Sequence, residues 1–283
     1  MTHMRPFKQV DVFTSTPFNG NPLAVILDAG GLSDEQMYAI ARWTNLSETT
    51  FVLPATDPTA DYRVRIFTPE IELPFAGHPT LGTAHALLEA GIRLHQPQQI
   101  VQQCGVGLVK IRIGDHGALA FSSPEATLTS FNDAAISGAL GHDSLAEQWP
   151  VMVADMGIRW LLVPIASAEA VLAIKPDIVE FANLLQKARV NGVMPFGPLD
   201  GVEDGYEVRG LLIENGSLTE DPVTGSANAC LARYFQQQGK ATDYIVHQGT
   251  AIQRAGRLDV TYTRDDVWIG GQTVTVLDGT IRL

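Results

Sequence analysis

Two short stretches of this chain carry the residue types that open a helix onto a small anion. The first is Ala76-Gly77-His78-Pro79-Thr80 and the second is Thr224-Gly225-Ser226-Ala227. Glycine, a hydroxyl and an early proline belong where a helix begins. A helix N-terminus presents unpaired N–H groups and roughly half a positive charge, which suits a carboxylate or a phosphate. Two such ends acting on one ligand would clamp a small acid. Taken singly, each reads as a well-capped core helix; the repetition of the entrance favours the anion site.

Proton transfer on a carbon acid needs a base near the carbon, a second group to assist or redeliver, and stabilisation of the developing enolate or dienolate. Glu48 follows Ser47 in a polar turn between an expected helix and the expected strand Thr50–Leu53. It reads equally as such a base or as a solvated loop acid. His78 falls in the first turn of its helix, where the positive end of the dipole favours a neutral imidazole fit for hydrogen bonding or relay. The alternative there is a capping or core histidine. Asp221, just before Pro222 at the second entrance, is either an N-terminal stabiliser or a member of the reacting set. Asp11, Asn21 and Arg65 are assigned to turns and strand edges, without chemistry.

Other chemistries lack their residues. Cys104 and Cys230 are the two cysteines, without the spacing of a zinc site or a disulfide framework, and read as small buried hydrophobes. His3, His85, His95, His116, His142 and His247 form no group with metal-ligand spacing, so no metal is expected. Cys104-Gly105-Val106-Gly107 is not followed by a helical pattern, so no dinucleotide fingerprint is present and no cofactor is expected. With 31 acidic against 19 basic side chains the formal net charge is −12, which disfavours nucleic acid and anionic membranes as partners. Met1–Val10 lacks the apolar region of a secretory signal, and the richest apolar run, Trp160–Ala166, is too short to span a bilayer. A cytoplasmic location is therefore expected, with a homodimer as the commonest soluble assembly.

The elements that must position these residues are mostly short strands. Val10–Phe13, Leu23–Leu27, Tyr62–Phe67, Leu108–Ile113, Val208–Leu212, Leu258–Tyr262 and Thr273–Leu277 are alternating or β-branched runs bounded by Gly, Pro, Asn or Asp. Ser33–Thr44 opens with a Ser-x-x-Gln capping box, and Pro176–Ala188 has a weaker helical pattern. The class is α+β, dominated by antiparallel sheet. A repeat organises it. Glu72-Leu73-Pro74-Phe75-Ala76-Gly77 and Glu220-Asp221-Pro222-Val223-Thr224-Gly225 both read Glu-x-Pro-x-x-Gly, and each opens a small-residue helical segment closed fourteen positions later, by Gly91 and by Gly239. The offset of 148 residues is close to half of the chain's 283, which implies two homologous halves. Both segments are nearly uncharged, as buried helices are. Their small side chains let strands approach closely, so each helix is expected to run through its own curled sheet.

The chain resembles the PhzF-like (phenazine-biosynthesis) family, which shares its fold with diaminopimelate epimerase. The resemblance runs through Val10-Asp11-Val12-Phe13-Thr14, Gly20-Asn21-Pro22-Leu23-Ala24-Val25, Asn45-Leu46-Ser47-Glu48-Thr49-Thr50-Phe51, Arg65-Ile66-Phe67-Thr68-Pro69, Leu73 to Ala84 and Glu220 to Ala227. It implies two pseudo-symmetric halves, 1–125 and 126–274, each a curled and mainly antiparallel sheet around a central helix, from Gly77 and from Gly225, with a strand at about 275–283 returning to the first half. It further implies a site in the cleft between the halves, with Glu48 as the acid/base residue, His78 and Asp221 assisting it, and Gly77, Gly225 and Ser226 holding the substrate. Diaminopimelate epimerases place a catalytic cysteine just before each entrance glycine. Ala76 and Thr224 stand there in this chain, so a two-thiol racemisation is not expected.

The expected activity is a cofactor-independent isomerase that moves a proton on a small carboxylate-bearing metabolite. Two alternatives stand beside it: an epimerase of an amino or hydroxy acid, which needs a second base opposite Glu48, and a catalytically silent binding protein of the same fold. A pure binder has no need to keep Glu48, His78 and Asp221 together.

Overall fold

The computed structural model describes residues 4–214 and 216–283. The chain divides into two compact units, one formed by the chain up to Ser122 together with Gly270–Leu283, the other by Ser123–Ile269. The first unit contains β1 (Met4–Val12), β2 (Asn21–Ile26), α1 (Asp34–Thr44), β3 (Glu48–Leu53), β4 (Tyr62–Phe67), β5 (Glu72–Leu73), α2 (Gly77–Glu89), β6 (Gln99–Cys104), β7 (Gly107–Ile113) and β8 (Leu119–Ser122). The second contains β9 (Thr127–Ser130), α3 (Ala135–Leu140), β10 (Met152–Asp155), β11 (Arg159–Pro164), α4 (Ala168–Ala173), α5 (Ile178–Ala188), β12 (Gly192–Pro198), β13 (Gly205–Val208), β14 (Gly210–Glu214), β15 (Ser217–Asp221), α6 (Gly225–Gln237), β16 (Tyr244–Gln248) and β17 (Gly256–Tyr262). Strand β18 (Val267–Gly271) leads out of it, and β19 (Thr273–Arg282) belongs to the first unit.

The division falls at 122/123 and 269/270 rather than at 125/126 and 274/275. Hydrogen bonding explains the difference. The Ser123 N–H already bonds to the Val267 carbonyl within the second unit, and β19 pairs with β1 from Thr273 onward. One expected strand, Val208–Leu212, is broken at Arg209, whose guanidinium turns away to Glu220 and to the carbonyls of Val171 and Ile174.

Both units use one pairing scheme. In the first, β19–β1, β1–β2, β3–β4, β4–β5, β6–β7 and β7–β8 are antiparallel, while β2–β3 and β4–β6 are parallel. In the second, β9–β10, β10–β11, β12–β13, β12–β14, β14–β15 and β16–β17 are antiparallel, while β11–β12 and β13–β16 are parallel. A parallel pair needs a crossover. The first crossover of each unit carries outer helices, α1 or α4 and α5, and the second carries the central helix, α2 or α6.

In the first unit α2 packs on β1, β2 and β3 and also on β8 and β19, so the sheet curls around it. Gly82 permits that approach: a Cβ there would lie 2.9 Å from Val12 Cγ2 and 3.0 Å from Val10 Cγ2. Residues Gly77–Ala84 are buried throughout, as are Gly225–Phe235 of α6. Both helices end in the same way. Gly91 and Gly239 adopt φ of +79° and +80°, and their N–H groups bond to Leu88 and Gln236 while those of Ile92 and Lys240 bond to Leu87 and Phe235. These are paired Schellman caps, for which glycine is favoured because it bears no Cβ.

The repeated glutamate has a structural purpose. Arg65 Nε and Nη2 form a fork onto the two oxygens of Glu72, and Arg209 Nε and Nη2 converge on Glu220 Oε2. The first fork ties β5 to its hairpin neighbour β4, and the second ties β15 to the break between β13 and β14. A second apolar core lies under the outer helices: Met37 and Ile40 of α1 meet Ile26, Phe51 and Phe67 in one unit, and Phe181 and Leu184 of α5 meet Leu161, Val163 and Val193 in the other. Lys8, almost wholly buried, bonds to Glu89 on α2 and Asp278 on β19 and so secures the returning strand.

One buried carboxyl is not neutralised by a close partner. Glu207 on β13 is 3 % exposed, and burial raises its pKa to about 6, opposed by a bond with Thr250 and the field of Arg257. The raised value means that the folded chain holds this proton where the unfolded chain has released it. The contribution is full below the ordinary glutamate value and is lost as pH rises through about 6. Glu207→Gln should therefore be more stable than wild type at pH 8, by about 1–2 kcal/mol, with the gap closing near pH 4. Urea unfolding at both pH values measures it; an equal gap at the two would show that Glu207 is not the group responsible.

Candidate active site

Glu48 is the first residue of β3, paired with Leu23 of β2, rather than a member of the preceding turn. Helix α1 ends at Asn45, whose left-handed conformation (φ 52°) reverses the chain and leaves Leu46 and Ser47 to reach the strand. Buried threonines then fix β3 against its neighbours. Thr83 on α2 donates to Thr50, which donates to the Ala24 carbonyl on β2, and the hydroxyls of Thr44 and Thr49 lie 2.8 Å apart. The start of β3 and the head of α2 are thus held together from below.

This brings Glu48 to His78. The imidazole Nε2 lies 3.3 Å from Glu48 Oε2, and both side chains are largely buried. The other ring nitrogen, Nδ1, is 3.3 Å from Asn21 Nδ2 at the start of β2. An amide nitrogen can only donate, so Nδ1 accepts and the ring proton resides on Nε2, the nitrogen nearer Glu48. Burial drives the His78 pKa down to about 3, so the ring is neutral across the physiological range. Neutrality was expected from the helix dipole; desolvation is its principal cause.

Asn21, read from sequence as a turn residue, is therefore part of the site. It is wholly buried, and the adjoining bend is tight: the Gly20 N–H bonds to Asp11 Oδ2, and a Cβ on Gly20 would lie 2.2 Å from the Val12 carbonyl. Asp11 orders this bend and Arg65 forms the fork described above, so both have the structural parts expected of them. Nothing in the sequence marked Asn21 beyond its place directly after that glycine, since its burial is a property of the fold.

The other expected residues belong to the second unit. Asp221 ends β15, and its Oδ2 accepts the Thr224 hydroxyl at 2.7 Å. Gly225 and Ser226 are the first two residues of α6. Ser226 Oγ accepts the indole N–H of buried Trp160 at 3.2 Å, which leaves the Ser226 proton free to donate elsewhere. Trp160 carried no functional signal in the sequence; Gly192, where a Cβ would lie 2.4 Å from the Trp160 ring, gives it room.

Neither central helix has a side-chain N-cap. Ser33, Ser167 and Asp177 cap α1, α4 and α5, whereas Ala76 and Thr224 make no cap hydrogen bond. Gly77, like Gly225, thus opens a helix whose N-cap side chain leaves the first-turn donors alone, a setting for a carboxylate. Burial raises both thiols, Cys104 at the end of β6 and Cys230 inside α6, away from the thiolate form. Among the described residues no group of three or more His, Cys, Asp or Glu is placed to hold a metal ion, and no helix is long and apolar enough to cross a membrane.

The role given to Asn21 can be checked by nitrogen NMR of the histidine rings. His78 should remain neutral with its proton on Nε2 down to about pH 4. Asn21→Leu should shift part of the population to the Nδ1–H tautomer. A wild-type ring that charges near pH 6.5, or a tautomer indifferent to the substitution, would contradict this assignment.

Residues 10–279 match the family described as "Phenazine biosynthesis-like protein". The chain is 37% identical to Antisense-enhancing sequence 1 of Schizosaccharomyces pombe, covering 96% of this chain and 97% of that protein. It is 35% identical to an uncharacterized isomerase of Mesorhizobium japonicum, covering 97% and 98%. The crystal structure of the Bacillus anthracis phenazine biosynthesis protein of the PhzF family superposes with a TM-score of 0.84 at 27% identity, covering 99% of each chain.

Proposed function

The chain belongs to the phenazine biosynthesis-like family, and from that premise we propose that it is a cofactor-independent isomerase in which Glu48 moves a proton on a small carboxylate-bearing metabolite. Relatives named as isomerases, at 35% and 32% identity over most of the chain, support the reaction class. The observation that carries the mechanism is the contact of Glu48 with a neutral, buried His78 at the head of an uncapped helix.

In this reading the Glu48 carboxylate takes a proton from carbon and becomes neutral. The substrate is left as an enolate or dienolate, whose charge the Nε2–H of His78 and the first-turn N–H groups of α2 stabilise. Glu48 then returns the proton at a second carbon. Such an exchange of one proton between two carbons needs neither a redox partner nor an external acid. Asp221 is the proposed assisting group, and Gly77, Gly225 and Ser226 are the proposed substrate-holding residues. The buried thiols have no part. A silent binding protein is the weaker reading, because a carboxylate and an imidazole held 3.3 Å apart under burial serve proton transfer and add nothing to anion binding.

Solvent-deuterium uptake into a panel of small dicarboxylates and cyclic amino acids tests the proposal. Glu48→Gln should bind the exchanging acid nearly as well as wild type while lowering its exchange by about 10²–10⁴-fold, the range for a lost general base. Cys104→Ala and Cys230→Ala should exchange at the wild-type rate. Undiminished exchange in Glu48→Gln, or its loss in either cysteine variant, would remove Glu48 and return the reaction to a thiol.

A further inference from the structure

We propose that Gln248 is a positioning residue which, through Thr224, holds the Asp221 carboxylate as a fixed hydrogen-bond acceptor; the catalytic value of this relay rests on the part given to Asp221 above. Gln248 ends β16, is wholly buried, and spends its entire amide on the segment that opens α6. Its Oε1 accepts the Thr224 backbone N–H at 3.0 Å and Asn228 Nδ2 at 3.0 Å. Its Nε2 donates to the Asp221 carbonyl at 3.1 Å and to Thr224 Oγ1 at 2.8 Å.

Main-chain groups remove any ambiguity from this network. A backbone N–H can only donate and a carbonyl can only accept, so Thr224 N–H and the Asp221 carbonyl fix which end of the Gln248 amide faces which way. Because Gln248 Nε2 donates to the Thr224 hydroxyl, that hydroxyl must send its own proton elsewhere. It goes to Asp221 Oδ2 at 2.7 Å. The direction of the last bond, and hence the acceptor state of Asp221, is dictated two residues back along the relay.

The first unit supplies an internal control. There Gln102, also wholly buried, donates to Thr80 Oγ1, and Thr80 donates to the Ala76 carbonyl; in the second, Asn228 donates both to Gln248 and to the Thr224 carbonyl. A buried glutamine braced on the fourth residue of the central helix is therefore common scaffolding. Ala76 has no hydroxyl and Leu73 no carboxylate, so the scaffold ends there. Thr224 and Asp221, at the matching positions, extend it to a charged group.

Thr224 is itself diverted by the relay. Threonine at an N-cap position ordinarily accepts from the first-turn N–H groups. Here it makes no such bond. Three glycines hold the segment in place: added Cβ atoms would lie 2.3 Å from Thr224 Oγ1 at Gly210, 2.7 Å from the Pro222 carbonyl at Gly249, and 2.3 Å from Val223 Cγ2 at Gly256.

The test is carboxyl-carbon NMR of the full chain labelled at aspartate, with the Asp221 signal identified by its loss in Asp221→Asn. At pH 7, Thr224→Val and Gln248→Met should each displace that signal, the double variant should displace it no further than Thr224→Val alone, and Thr224→Ser should keep it at the wild-type position. A signal unmoved by Thr224→Val, or moved as far by Thr224→Ser, overturns the relay; should Gln248→Met fail to fold, the two Thr224 variants decide. In the deuterium assay, Thr224→Val should lower kcat by up to about 100-fold with KM little changed, and Thr224→Ser should restore it. A displaced signal with undiminished kcat would establish the relay and overturn the part assigned to Asp221 in the reaction.

Discussion

Each central helix is buried from its first residue, and that constraint shapes both halves of this molecule. The C-terminal carbonyls of α2 and α6 are satisfied internally by paired Schellman caps at Gly91 and Gly239. Neither N-cap side chain satisfies an N-terminal donor, although three peripheral helices of the same chain are capped in the ordinary way. Leaving such donors uncapped costs on the order of 1 kcal/mol per helix. That cost is offset by apolar burial along the helix, and it leaves each entrance poised for an anion.

Burial also determines the chemistry beside the first entrance. An exposed histidine next to a glutamate would charge and form an ion pair near neutral pH. With His78 desolvated the ring stays neutral, and Asn21 keeps its single proton on Nε2. A neutral donor supports a carboxylate without holding it so strongly that it ceases to be a base, which an imidazolium at the same distance would do. The contrast with Glu207 is instructive: there burial acts on an acid, raises its pKa, and produces only a pH-dependent contribution to stability.

The two units show how one scaffold carries unequal side chains at its two helix entrances. Arginine forks on Glu72 and Glu220, a buried glutamine under each central helix, and the pairing scheme of the strands are common to both. Differences are concentrated at the positions just before each helix, Leu73 against Asp221 and Ala76 against Thr224. There the scaffold terminates in backbone groups on one side and in a hydroxyl and a carboxylate on the other.

From the amino-acid sequence alone came the α+β class, the repeat, both central helices with their opening and closing glycines, and the capping box at Ser33; Glu48, His78 and Asp221 were singled out there as candidates. These are local properties: glycine and proline punctuation, helical spacing and a motif each leave their mark within a dozen residues. Asn21, Thr224, Gln248 and Trp160 were not legible in this way. Gln248 is a single polar residue at the end of an ordinary strand, 27 positions from the aspartate whose carbonyl it bonds. What makes it matter is burial and the orientation of an amide against fixed backbone groups, and neither is a property of nearby sequence. The same holds for the neutral state of His78, which depends on how completely β2, β3 and α2 close over the ring. Sequence determined which groups could do chemistry; tertiary packing decided their protonation, their proton directions and which residues hold them, because dielectric and hydrogen-bond geometry arise only when distant segments are brought into contact.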